Sequence, residues 1–88
     1  MHTDEYEISI GREISLCRRV VKQLTKALDD REKKHGMTTE AFLLTPAPDG
    51  PAKQKREFRK WRDDHAELQK WRKMLSEYER AYQMMKGI

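Results

Sequence analysis

An all-α fold, an antiparallel two-helix hairpin of coiled-coil type, is what this sequence predicts, and three observations predict it. Apolar residues recur at alternating steps of four and three through Ile10, Ile14, Cys17, Val21, Leu24 and Leu28. A second ladder runs Trp61, Leu68, Trp71, Leu75, Tyr78, Tyr82 and Met85. Between them lies a proline-rich break, Thr45 to Pro51. Such spacing draws a narrow apolar stripe along one side of a helix, the seam by which two helices wind around each other.

The elements follow in order. Residues 1 to about 7 are polar and read as a frayed start, so the first helix is expected over about 8–35. Lys33, Lys34 and His35 place positive charge at the negative end of its dipole, and Gly36 can take the left-handed conformation that ends a helix. Thr38 can then cap a short helix over about 39–44, with Glu40 in its first turn and Phe42 and Leu43 inside it. The prolines of segment 45–51 lack amide hydrogens and hold their neighbours extended, which makes that segment the bend. Asp49 or Gly50 can cap the next helix and Pro51 suits its first position, so the second long helix is expected over about 52–85, with Gly87 beyond it. The whole of 1–88 makes one helical-hairpin domain. Two helices of this length keep contact only at a shallow crossing angle. The antiparallel register expected from the bend sets Leu28 near Trp61, Val21 near Leu68 and Ile14 near Leu75, to within about one turn.

Composition bounds what such a hairpin can do alone. The chain is 88 residues long, 39% charged and 36% apolar, which leaves little to make an interior. The stripe is also wider than a strict seam: Val20 and Ala27 lie beside the first ladder, and Phe58, Met74 and Ala81 beside the second. The extra width suits a third or fourth helix, so a homodimer forming a four-helix bundle is expected. The helix–helix interface is assigned to Ile10, Ile14, Cys17, Val21, Leu24, Leu28, Phe58, Trp61, Leu68, Trp71, Leu75, Tyr78 and Tyr82. The acidic start offers no apolar signal region, and the run Ala41 to Leu44 is far too short to cross a bilayer. With one cysteine, Cys17, set in the ladder as a reduced thiol, a cytoplasmic protein without membrane contact is expected.

Charge is polarised in one place. Lys53, Lys55, Arg56, Arg59, Lys60 and Arg62 stand against the single acid Glu57, a local excess of cations larger than the net +4 of the whole chain. With Trp61 at heptad position a, Lys55, Arg56, Arg59 and Arg62 occupy b, c, f and b, the outward face. That face can simply keep a small bundle solvated, or meet an acidic protein surface or nucleic acid. Asp63 and Asp64, which follow at once, weigh against a nucleic-acid backbone.

Catalytic chemistry has no foothold. The neighbours Asp63, Asp64 and His65 point in different directions on a helix, and the Glu-x-x-His spacing of bundle metal sites is absent, so no metal is expected. His65 reads as packed beside the seam, and His35 and His2 as helix-end and terminal residues. The spacings of Trp61, Trp71, Tyr78 and Tyr82 are those of a core stripe rather than of a stacking platform. The sequence holds no glycine-rich phosphate loop, nucleophile elbow or Ser/His/Asp order. A non-enzymatic protein without a cofactor is expected.

The stretch LDDREKKHGMTTEAFLL (Leu28 to Leu44), followed by a loop and the tryptophan-bearing FRKWRDDHAELQKW, resembles a group of small prokaryotic helical proteins. Members are described as antitoxin components of toxin–antitoxin pairs. The resemblance covers about the middle two-thirds of the chain and rests on Gly36, Met37, Phe42 and Trp61. It implies a noncatalytic protein whose helical surface sequesters a toxin. The basic start of the second long helix departs from the group, where acids are commoner. In physical terms the same four residues are expected to close the top of the zipper, with Met37 and Phe42 folding back onto Leu28, Phe58 and Trp61. The function expected is thus a protein–protein interaction module, with a nucleic-acid-associated protein using the basic face as the alternative.

Overall fold

The structure, a computed structural model, describes the backbone of residues 4–45 and 50–86 and the side chains of residues 7–45 and 50–85. Two long helices, α1 (Asp4–His35) and α3 (Ala52–Lys86), pack against each other, with the short α2 (Thr39–Leu44) between them in the chain. Among the described residues there is no strand. α1 begins earlier than the polar start suggested, because polarity is no bar to a helix and acidic residues are favoured in a first turn. Residues 46–49, and with them most of the expected bend and the Asp49 cap, lie outside the described residues, as does Gly87.

Each observed helix end has a local cause. Gly36 takes φ +66°, and the Met37 amide donates to the Glu32 carbonyl at 3.2 Å, the long bond of a Schellman turn. Thr38 then caps α2, its Oγ1 accepting from the Ala41 amide at 3.1 Å. Thr45 closes α2 by donating its amide and its hydroxyl to the Phe42 carbonyl. Pro51 serves α3 as the cap rather than as its first residue: its carbonyl accepts the Lys55 amide at 3.1 Å, and the helix starts at Ala52. Replacing Gly36 by alanine meets no neighbouring atom, so the cost is the left-handed backbone alone. Gly36→Ala is expected to lose about 1 kcal/mol, read as a lower urea midpoint with an unchanged slope.

The interface residues expected from the ladders are all buried or half-buried. Ile10, Ile14, Cys17, Leu28, Trp61 and Leu68 are the most enclosed, with Cys17 and Trp61 fully covered. The main cluster is Leu28, Phe42, Trp61 and Leu68, with Val21, Leu24 and Phe58 against it. Burial, and then the nearby Glu13 carboxylate, push the Cys17 thiol above its ordinary pKa, so it stays protonated and unreactive.

The register differs from the expected one by a full heptad. Lys34 reaches Glu57, Arg31 reaches Asp64 and Arg18 reaches Glu79, a sequence separation that widens away from the bend as an antiparallel pair requires. His35 stacks on Trp61, and Ile14 shares a groove with Tyr82 rather than with Leu75. A repeat of seven is satisfied equally well after a slide of seven, so the apolar pattern cannot choose. The ion pairs and the Trp61 contacts choose.

The slide has a consequence for the outline. With His35 level with Trp61, the segment Ala52 to Lys60, about two and a half turns, runs past the end of α1, whose last residues Lys34 and His35 reach back to Glu57 and Phe58. The rod is accordingly 60 Å long and about 20 Å across, longer than the ~52 Å of α3 itself.

Candidate functional site

The apex of the rod is its most organised part. Phe42 lies flat on Trp61, ring centroids 3.9 Å apart and 4° from parallel, and Phe58 flanks both. The indole Nε1 donates to Thr39 Oγ1 at 3.0 Å, and the Thr39 amide donates to Glu32 Oε2 at 2.6 Å, so α1, α2 and α3 are tied through one chain of bonds. A carboxylate on the first amide of α2 also suits that helix's dipole. Among the described residues no buried side-chain nitrogen or oxygen lacks a partner. Phe42 closes the zipper as the sequence suggested. Met37 does not: it stays exposed, because the Gly36 turn carries it outward.

His35 and Glu57 were missed as a pair. Glu57 Oε1 accepts from Lys34 Nζ at 2.8 Å and from His35 Nε2 at 3.1 Å, the ring presenting its Nε2 hydrogen as a carboxylate acceptor requires. These bonds, the lysine's first and the histidine's second, hold the Glu57 carboxyl below its usual pKa. A depressed carboxylate pKa stabilises the fold fully above the ordinary carboxylate value, and that stabilisation is lost as pH falls from there through the lower pKa of the folded state. Glu57→Gln is therefore expected to flatten the acid limb of a stability–pH curve and to leave its neutral-to-alkaline part the same shape, as thermal melts across pH would show. No such pairing is visible in a sequence until the register is known.

The basic segment stands on the overhang. Lys53, Lys55, Arg56, Arg59, Lys60 and Arg62 are all exposed, while Glu57, the single acid among them, is turned toward α1. Arg62 is the exception to an outward role, since its guanidinium lies 5.6 Å over the Phe42 ring and shields the stack. Asp64 is neutralised by Arg31 at 2.7 Å, both side chains being largely covered. Asp64 thus opposes the basic face less than its position in the sequence suggested, while Asp63 stays exposed.

No family model matches this chain, and no curated protein or solved structure matches it either. Chemistry must therefore be judged from the surface itself. Among the described residues no three His, Cys, Asp or Glu side chains come together as a metal site would need. His65 lines a groove with Leu28, Leu68, Thr39 and Arg72, beside the seam as expected. No helix among the described residues is long and apolar enough to cross a membrane.

A second surface runs down one side of the seam. Val20 and Ala27 of α1 and Met74 and Ala81 of α3 are half-buried there, next to half-covered Trp71 and Tyr78. Leu16 and Met84 at its margin are exposed, Met84 by 66%. Trp71 donates its indole hydrogen to Glu67 one turn earlier on the same helix, at 3.1 Å, which fixes the ring along this flank. The opposite flank is polar, with Arg18 bonded to Glu79 across it. The hairpin thus has one apolar side and one charged side.

Proposed function

We propose that this chain is a non-enzymatic protein-interaction module that works through its apolar flank, pairing as a homodimer in a four-helix bundle and sequestering a protein partner in the manner of an antitoxin. The observation that carries this reading is the half-covered strip Val20, Ala27, Met74 and Ala81 with Trp71 beside it, apolar area that one hairpin leaves against water. A cytoplasmic setting, in which Cys17 stays reduced, accords with it. Sedimentation of the purified chain combined with affinity capture from the native source tests it. A dimer that co-purifies with a specific protein is the expected result; a folded monomer that retains no protein would overturn it.

A second reading, a nucleic-acid-associated protein, is favoured by the overhanging cations Lys55, Arg56 and Arg59, which make no ion pair among the described residues. Its test is a mobility shift at low salt with duplex and single-stranded probes. On the interaction-module reading no shift occurs, and the double reversal Arg56→Glu, Arg59→Glu leaves folding intact.

A further inference from the structure

We infer that the second copy lies antiparallel on the apolar flank, α1 against α1, about a twofold axis at the middle of the rod; this rests on the dimeric reading above. The first support is the flank column of α1, Glu13, Val20, Ala27 and Lys34, spaced by sevens. That column is self-complementary when reversed. Glu13 meets the second copy's Lys34, Val20 meets its Ala27, and each contact is made twice. The Lys34 ammonium, which also holds Glu57 of its own chain, is then shared between the two carboxylates.

Glu13 itself points the same way. It is half-buried at the edge of an apolar strip, yet it makes no ion pair among the described residues. A carboxylate at the edge of an apolar strip, with no cation of its own, is open to one that a partner brings.

The outline of the molecule agrees independently. The column reverses about a point between Gln23 and Leu24. The rod runs from Asp4 at one end to the overhanging Ala52 at the other, and with Arg31 level with Asp64 its midpoint falls at Leu24 as well. Two 60 Å rods reversed about that point overlap along their whole length. Trp71, level with Leu24 in the same register, then lies next to the axis and faces its own copy, where a large ring packs best.

Charge decides the direction. In the reversed arrangement the overhanging start of α3, with Lys53, Lys55, Arg56 and Lys60, comes level with the start of the second copy's α1, diagonally across the bundle, where Glu7 and Glu13 stand. In the end-aligned arrangement Lys34 of one copy would lie against Lys60 of the other, and the carboxylates would have no cations. Opposite charges across an interface fix register, and like charges facing each other penalise the wrong one. The basic segment therefore acts within the assembly, as its orienting element.

Sedimentation equilibrium on three chains tests this. The wild type is expected to be a dimer at micromolar concentration. Glu13→Lys, its helical content checked by circular dichroism, should weaken association by at least roughly tenfold. The full reversal Glu13→Lys, Lys34→Glu, Lys60→Glu, made together with Glu57→Gln so that position 34 does not face a like charge within its own chain, should restore it. A wild type that stays monomeric at hundreds of micromolar overturns both this arrangement and the dimeric reading. A wild-type dimer that Glu13→Lys leaves unchanged, or a weakened one that the reversal fails to rescue, overturns the arrangement alone.

Discussion

Trp61→Ala is expected to cost about 3–5 kcal/mol, most of the stability available to a chain of this size. The indole is fully covered, and its loss opens a cavity in the main cluster beside Leu28, Phe42 and Leu68. It also strips α2 of its main support, since Phe42 stacks on that ring and Thr39 is bonded to it. Loss of the near-ultraviolet aromatic signal, with much of the far-ultraviolet helical signal retained, is the expected spectroscopic result. Trp61→Phe separates the two contributions. It keeps an aromatic surface for Phe42 but removes the Nε1 donor, and should cost roughly 1–3 kcal/mol.

Removing one member of the Arg31–Asp64 pair ranks next. The contact is 2.7 Å long and the two side chains keep only 14% and 18% of their exposure, so Asp64→Ala leaves a guanidinium stranded in the seam. A loss of about 1–3 kcal/mol is expected, short of the figure for a fully buried pair because some water reaches it. Replacing both residues by leucine should recover most of that loss, because the desolvation of two charges is relieved together. The recovered protein would have lost one of the contacts that set the register. Chemical denaturation of the three variants measures both effects.

These two sites mark where sequence reasoning succeeded and where it stopped. The helices, the short α2 and the Gly36 turn were legible because each depends on neighbours within a few residues. Burial of Leu28, Trp61 and Leu68 was legible because a sevenfold ladder states which side of a helix faces inward. The pairing of the ladders was not, because a seven-residue slide leaves every apolar position facing inward. What fixes it is polar: Arg31 with Asp64, Arg18 with Glu79, and His35 with Trp61 and Glu57. In the sequence those residues are indistinguishable from any other surface charge or helix-end histidine. The error had a functional consequence, for the expected register would have covered the basic segment with the end of α1. In the structure α1 meets that segment at Glu57 and Phe58, through Lys34 and His35, and Lys53, Lys55, Arg56 and Arg59 stay exposed.

The extra apolar width was anticipated at Val20, Ala27, Phe58, Met74 and Ala81; four of these are half-covered on one flank, whereas Phe58 is taken up within the chain, where α2 brings Phe42 onto it and Trp61. Leu44, 87% exposed at the end of α2, shows that not every apolar residue outside the core belongs to that flank. It lies at the apex, away from the strip, where a lone exposed leucine needs no partner.

The dependence of thermal stability on protein concentration tests the central claim, that the hairpin completes its core by association, most directly. If folding and pairing are coupled, a hundredfold rise in concentration contributes about 2.7 kcal/mol to the folded dimer. The melting temperature should then climb by roughly 5–10 °C over that range. A melting temperature that holds constant across it would mean that a single hairpin is stable with its flank in water, and would contradict the account.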